Sequence, residues 1–174
     1  MVVRVAKRYH QRRLNFCVIT FYDPQRAAIT KALEAAMIPS ECVYNVDSFQ
    51  GMFHFPHIAF ASLIFRPPPQ PSSGNEADYI ILSSVRTQQP GFLKSLPRMN
   101  VALTRCRKGM VIVTNKSFLQ GSGKSTLLGK LCRFWSLKRE AWLDWRTMLG
   151  TEVELPGIPT HVSTPTLPHN TKTE

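Results

Sequence analysis

The chain has 174 residues, with 22 lysines and arginines against 11 aspartates and glutamates, for a formal net charge of +11. That length suits one domain with tails, and the charge points to a polyanionic partner, nucleic acid ahead of a membrane surface. Cys17, Cys42, Cys106 and Cys132 are widely spaced with no CxxC pair, so neither a zinc site nor a disulfide framework is supported. No apolar run reaches membrane-spanning length, and the basic start lacks the apolar core of a secretory signal. A reduced, soluble protein of the nucleus or cytoplasm is expected.

In chain order, residues 1–13 predict a basic helix with Arg4, Arg8 and Arg12 on one stripe and Val2, Val5 and Tyr9 on another. It is expected to be the end of an upstream region. Phe16 to Phe21 forms an apolar run of strand length. Asp23 as N-cap and Pro24 at the first helical position then predict a helix to about Met37, buried through Ala28, Ala32, Ala35, Ile29, Leu33 and Ala36. Gln25 falls in its first turn, beside free N–H groups that favour an anion. Glu41 to Val46 predicts a second strand. Asp47-Ser48-Phe49-Gln50-Gly51 follows at its carboxyl end, either a phosphate- or ribose-contacting loop or a plain turn.

Residues 52–74 break the pattern. An aromatic and apolar half runs into Arg66-Pro67-Pro68-Pro69-Gln70-Pro71, a proline-rich linker of disordered character with a PxxP pattern. Tyr79 to Arg86 then predicts a strand that carries an arginine at its carboxyl end. After a loop with a turn at Pro90-Gly91, the central stretch Arg98 to Arg107 places Met99, Ala102, Leu103 and Cys106 at helical spacing, with Arg98 and Arg105 two turns apart on another side. Asn100, Thr104 and Arg107 make a third, polar stripe. Gly109 to Thr114 has the continuous apolar character of a buried parallel strand. A helix that delivers arginines to one edge and then enters a core strand suits the handling of phosphate. A solvated basic helix is the plainer alternative.

Gln120-Gly121-Ser122-Gly123-Lys124-Ser125-Thr126 is similar to a phosphate-binding P-loop, but the glycine that opens G-x-x-x-x-G-K-[ST] is replaced by Phe118. A helix-capping loop is expected instead. Leu127 to about Met148 predicts a helix packed through Leu128, Leu131, Trp135, Trp142 and Trp145. From 151 to 174 Pro, Thr and His dominate without periodicity, predicting a disordered tail.

Four stretches, in order, resemble the second RecA-like lobe of superfamily-one helicases of the senataxin and nonsense-mediated-decay type. Val18 to Gln25 resembles "ITPY..Q", Val46 to Gly51 resembles "VDSFQG", Asp78 to Arg86 resembles "D.IILS.VR", and Arg98 to Arg107 matches "RR.NVALTRA." nearly throughout. The resemblance implies an α/β fold: a RecA-like parallel sheet flanked by helices over residues 14–150, interrupted by the insert and followed by the tail. It implies that Arg105 is an arginine finger on the γ-phosphate of ATP with Arg86 nearby, and that Gln25, Gly51 and Glu76 also face the nucleotide. It implies that Ser48, Gln50, Asn100 and Thr104 lie on the track of single-stranded DNA or RNA. A planar, permanently charged guanidinium suits the charge that develops in phosphoryl transfer.

The sequence departs from this pattern twice. The family writes "FQG.E" without interruption, whereas residues 52–74 separate Gly51 from Asn75-Glu76, which marks the segment as a retained intron or an insertion. The Walker A and Walker B elements of a first lobe are missing, so ATP with Mg²⁺ is expected to be shared with a first RecA-like lobe outside this chain. The chain alone is expected to be inactive: half of an ATP-dependent helicase or, alternatively, a catalytically dead basic nucleic-acid-binding module.

Overall fold

A computed structural model describes residues 1–51, 76–137 and 142–150. Four strands, β1 (Phe16–Thr20), β2 (Val43–Asn45), β3 (Ala77–Ser83) and β4 (Cys106–Val113), form one sheet in the order β2-β1-β3-β4. Every pairing is parallel, with Thr20 opposite Asn45 on one side and Ser83 on the other, and Ala77 opposite Cys106. The expected α/β fold with a parallel sheet is therefore what forms.

Successive strand residues point to opposite faces, and both faces are covered. Val18, Val43, Tyr79 and Ile81 pack with α1 (Val2–Gln11) and α2 (Asp23–Ala35), through Val2, Val5, Ala6, Tyr9, Ile29 and Leu33. Ile19, Phe21, Ile80 and Leu82 pack on the other face, with Met99 and Ala102 of α4 (Leu96–Leu103), Phe118 and Leu119 of α5 (Lys116–Gln120), and Leu128 and Cys132 of α6 (Leu127–Ser136). Burial on both faces explains why residues 16–19 and 79–82 read as continuous apolar runs rather than alternating.

Several local expectations are corrected. Tyr22, in extended backbone, is the N-cap of α2, and Asp23 is its first residue, accepting instead from Asn45 Nδ2 at 3.0 Å. Ile29 and Leu33 bury the helix while Ala28, Ala32 and Ala35 face solvent, because the apolar stripe is narrower than three alanines imply. Residues 46–51 form a short helix, α3, in place of a loop or turn. β3 stops at Ser83, short of Arg86.

The central helix ends at Leu103, with Thr104 as C-cap, and Cys106 already belongs to β4. The helical spacing that linked Met99 to Cys106 thus spans two elements, and Arg98 and Arg105 do not share a helix face. β4 draws Cys106 out of the helix because its backbone pairs with Ala77 at the opening of β3. The last long helix is likewise shorter than expected: α6 closes at Ser136, and Trp142 and Trp145 lie outside it. Residues 52–74 and 151–174, expected to be a disordered insert and tail, fall outside the described residues.

Candidate functional site at the carboxyl edge of the sheet

The chain leaves β1 towards β2 on one side and places β3 on the other, so the carboxyl ends of β1 and β3 form a topological switch point, where open α/β sheets bind ligands. Phe21 and Tyr22 leave β1 directly into α2, which brings the N–H groups of that helix's first turn to the crevice. Gln25, in that turn, donates through Nε2 to Ser83 Oγ at 3.5 Å and so bridges the two sides.

Across the crevice the backbone turns sharply after β3. Val85 sits at φ 60, a conformation that costs a β-branched residue about 1–3 kcal/mol and that clusters at functional sites. Arg86 N closes the turn by donating to Ser84 O at 2.6 Å. The turn sends the Arg86 side chain back over β1, where Nε donates to Tyr22 Oη at 2.6 Å and the guanidinium lies 4.5 Å from the Tyr22 ring centre.

Tyr22 in turn stacks on Phe92, ring centres 5.1 Å apart, and the Arg98 guanidinium lies 4.3 Å from the Phe92 ring. The plane of Arg98 is fixed by Asp47, which accepts from Nε at 2.7 Å and from Nη2 at 3.0 Å. That bidentate hydrogen bond is the main cause that raises the guanidinium pKa further above its ordinary value. Asp47 N donates to Asn45 Oδ1 at 3.2 Å, and Arg26 pairs with Asp23 at 3.8 Å. A ladder of guanidinium, two rings and a second guanidinium thus runs along the carboxyl edge, tied at one end to α3.

The residues implied by the family resemblance divide between the two edges. Gln25 and Arg86 are together at the carboxyl edge. Glu76 and Arg105 are at the amino edge: Arg105 O accepts from Ala77 N at 3.2 Å, and its Nε donates to Val101 O at 3.1 Å at the end of α4. Glu76 accepts from Arg107 Nε at 3.2 Å, and Lys108 meets Asp78 at 2.8 Å beside it. The seven residues of β3 put about 20 Å between the two edges, so Arg86 is not near Arg105.

Ser48 is exposed on α3, and Asn100 and Thr104 are exposed one turn apart on α4, where Thr104 Oγ1 donates to Asn100 O at 2.8 Å. Gln50 and Gly51 lie in α3, whose join to α4 is the Arg98–Asp47 pair. Phe92, Tyr22, Asp47 and Arg98 complete the carboxyl-edge cluster without having been singled out as a group. The signal present in the sequence was Arg98 opening its motif, but the ring stack depends on contacts between distant segments.

The P-loop-like run is built for another purpose. Phe118 is a buried residue of α5, its carbonyl accepts from Gly123 N at 2.8 Å, and a side chain at Gly123 would strike the Phe118 ring. Thr126 caps α6 by accepting from Gly129 N at 3.1 Å, while Ser122 Oγ donates to Gln88 O. The run is a capping loop, as expected. Among the described residues no group of three or more His, Cys, Asp or Glu side chains is placed to hold a metal ion. No helix among them is long and apolar enough to cross a membrane.

Comparison with known proteins points to helicases. Residues 71–117 match a family model described as an AAA domain. The chain is 30% identical over 119 residues to an ATP-dependent helicase of Methanocaldococcus jannaschii, covering 68% of this chain and 14% of that one. It is 37% identical over 111 residues to regulator of nonsense transcripts 1 of Dictyostelium discoideum, covering 59% and 7%, and 48% identical over 119 residues to a 5'-3' DNA helicase of Mus musculus, covering 66% and 5%. The chain thus spans only a small part of the length of these relatives. Together with the parallel sheet and the four motifs in order, these matches make the chain a superfamily-one helicase-like region.

Proposed function

We propose that the chain is the second RecA-like lobe, the carboxyl-terminal half, of an ATP-dependent DNA or RNA helicase, acting in the nucleus or cytoplasm. It supplies phosphate-directed arginines and part of a single-strand track, and it completes its site against a first lobe from outside the chain. The observation that carries this is the carboxyl-edge ladder. Gln25, Arg86 and Arg98 converge on the switch point beside the amino end of α2, although they come from three separate motifs.

The edge fits the phosphate end of ATP. Arg26 pairs with Asp23, Arg98 with Asp47, and Arg86 meets the Tyr22 hydroxyl, so three guanidiniums share this edge with two carboxylates, and the N–H groups of α2 add partial positive charge. ATP with Mg²⁺, held chiefly by the first lobe, would supply the phosphoryl chemistry. In this chain Arg98 and Arg86 would orient the terminal phosphate and stabilise its developing charge, Tyr22 and Phe92 would hold both guanidiniums in place, and Gln25 would receive the nucleotide from the first turn of α2. Glu76 and Arg105 are proposed to act at the opposite edge, Arg105 by fixing the end of α4. Ser48, Gln50, Asn100 and Thr104 are proposed as backbone contacts to the strand, with α3 linking them to Arg98 through Asp47.

The test is the ATPase rate of the chain mixed with a first lobe and single-stranded nucleic acid. Activity in the mixture that falls about 10³-fold or more in Arg98→Ala or Arg86→Ala, but much less in Arg105→Ala, is the expected result. Loss confined to Arg105→Ala would move the phosphate contact to the amino edge. The charge of +11 supports a second reading, a basic nucleic-acid-binding module without ATPase function. Salt-sensitive binding of single strands, with no turnover in any mixture, would establish that one.

A further inference from the structure

The carboxyl ends of β1, β2 and β3 carry a row of buried polar side chains. Thr20 lies opposite Asn45 on one side and Ser83 on the other, and the three are 0%, 7% and 3% exposed. They project to the same face as Val18, Val43 and Ile81, two residues earlier in each strand, which is the face that α2 covers. Burial demands partners for such groups, and Asn45 and Ser83 find theirs in the first turn of α2. Asn45 Nδ2 donates to Asp23 Oδ1 at 3.0 Å, and Gln25 Nε2 donates to Ser83 Oγ at 3.5 Å. The turn is thus pinned on both sides of β1.

Asn45 makes a second bond. Its Oδ1 accepts from Asp47 N at 3.2 Å, and the Asp47 carboxylate holds Arg98 through Nε and Nη2 at 2.7 and 3.0 Å. One buried amide therefore joins the first turn of α2 to α3 and, through α3, to the guanidinium at the start of α4. The bond to Asp47 is a helix cap, which Asn, Asp and Ser supply about equally well. The bond to Asp23 is a different requirement. It needs an N–H facing a carboxylate, and the amide carries that donor and the capping acceptor on separate atoms. Capping alone accounts for half of what Asn45 does.

We propose, on the reading of the chain as a helicase lobe, that Asn45 is a positioning residue that couples the two ends of the site. It holds Gln25, Arg98 and α3 in one register, so that a strand seated at Ser48 sets both Gln25 and Arg98 for the terminal phosphate. Hydrogen-bond networks between rigid elements carry such coupling, and it is reciprocal between the two ligands. Asn45 touches neither of them, so it governs the response to the strand and not a contact with it.

The experiment separates bridge from cap. Asn45→Asp keeps the capping acceptor but sets two carboxylates against each other at Asp23, whereas Asn45→Asp/Asp23→Asn exchanges the partners and restores the bond. The chain alone is titrated with oligothymidylate, with binding followed by fluorescence anisotropy and the Arg98 Nε–H signal by NMR. Expected is a shift of that signal in the wild-type chain, absent in Asn45→Asp and present again in the double variant, at equal melting midpoints. In the two-lobe mixture, stimulation of the ATPase by the strand should fall about tenfold or more in Asn45→Asp and return to within about twofold of wild type in the double variant. Asn45→Ser, whose shorter side chain caps without reaching Asp23, replaces Asn45→Asp if the latter does not fold. Wild-type behaviour of Asn45→Asp would reduce Asn45 to a cap and overturn the proposal, as would a loss that the double variant does not restore. A wild-type chain that binds the strand without moving Arg98 also overturns it, and leaves the helicase reading standing. A chain that binds no strand refutes that reading and the proposal with it. A mixture without ATPase refutes the ATP-dependent reading, and the Arg98 signal then decides the bridge.

Discussion

Replacing Phe118 with glycine restores the letter pattern of a P-loop, G-x-x-x-x-G-K-[ST], and so separates motif from structure. Phe118 is 3% exposed and packs in the core beside Leu119, Leu128 and Cys132. Removing a buried aromatic ring costs about 3–5 kcal/mol, and glycine inside α5 adds roughly 1 kcal/mol, for a loss of about 4–6 kcal/mol. Domains of this size hold about 5–15 kcal/mol in all, so Phe118→Gly is expected to fold marginally or not at all. Urea denaturation followed by circular dichroism measures the loss. Isothermal titration with Mg²⁺-ATP on the wild-type chain and on Lys124→Ala is expected to show no difference between them. A stable Phe118→Gly chain, or ATP binding by the wild-type chain that vanishes in Lys124→Ala, would refute the view of this run as a capping loop.

Three further outcomes are expected. Gly91 has φ 50, and a Cβ there would stand 2.5 Å from Tyr22 Oη and 2.8 Å from Arg86 Nε. Gly91→Ala should therefore cost about 1–2 kcal/mol from backbone strain, lower the melting midpoint, and cut the ATPase of the two-lobe mixture by displacing Arg86. Ile81→Ala, at a site with 0% exposure, should lose about 2–5 kcal/mol in urea denaturation, whereas Met37→Gly should be neutral or stabilising because Met37 is 88% exposed at φ 57. Burial pushes the Cys17 thiol from 9.0 up to about 12. Folded Cys17 should resist thiol reagents at pH 8–9 that label the unfolded chain quickly. Because the folded state keeps a proton that the unfolded state releases, its contribution to stability is complete below pH 9 and declines as pH rises towards about 12; pH-dependent urea midpoints of wild type and Cys17→Ala check the sign.

The class of fold was legible in the chain because its signals are local. Uniformly apolar runs at Phe16, Tyr79 and Gly109, each followed by a helical pattern, specify buried parallel strands whichever order they take in the sheet. The capping loop at 121–126 was legible for the same reason, since a phenylalanine in place of the first glycine denies the phosphate turn. Element ends were not legible. Cys106 continues a helical spacing in the sequence, yet backbone pairing with β3 overrides that local preference, and Trp142 and Trp145 continue a pattern that α6 leaves at Ser136.

The candidate site divides in the same way. The motifs marked Gln25, Arg86 and Arg105 as residues for a nucleotide, and side-chain chemistry alone justified the arginines. Which of them can act together depends on the edge of the sheet each one reaches. Arg86 follows β3 and Arg105 precedes β4, so parallel pairing separates them by the length of a strand, while Arg98, Phe92, Tyr22 and Asp47 meet only because α4 and α3 both begin at the carboxyl edge. Periodicity, charge and motif chemistry were readable along the chain, since all of them act between near neighbours. Strand order and the pairing of Arg98 with Asp47 came only with the tertiary structure, because they arise from contacts between segments whose separation in sequence carries no distance information.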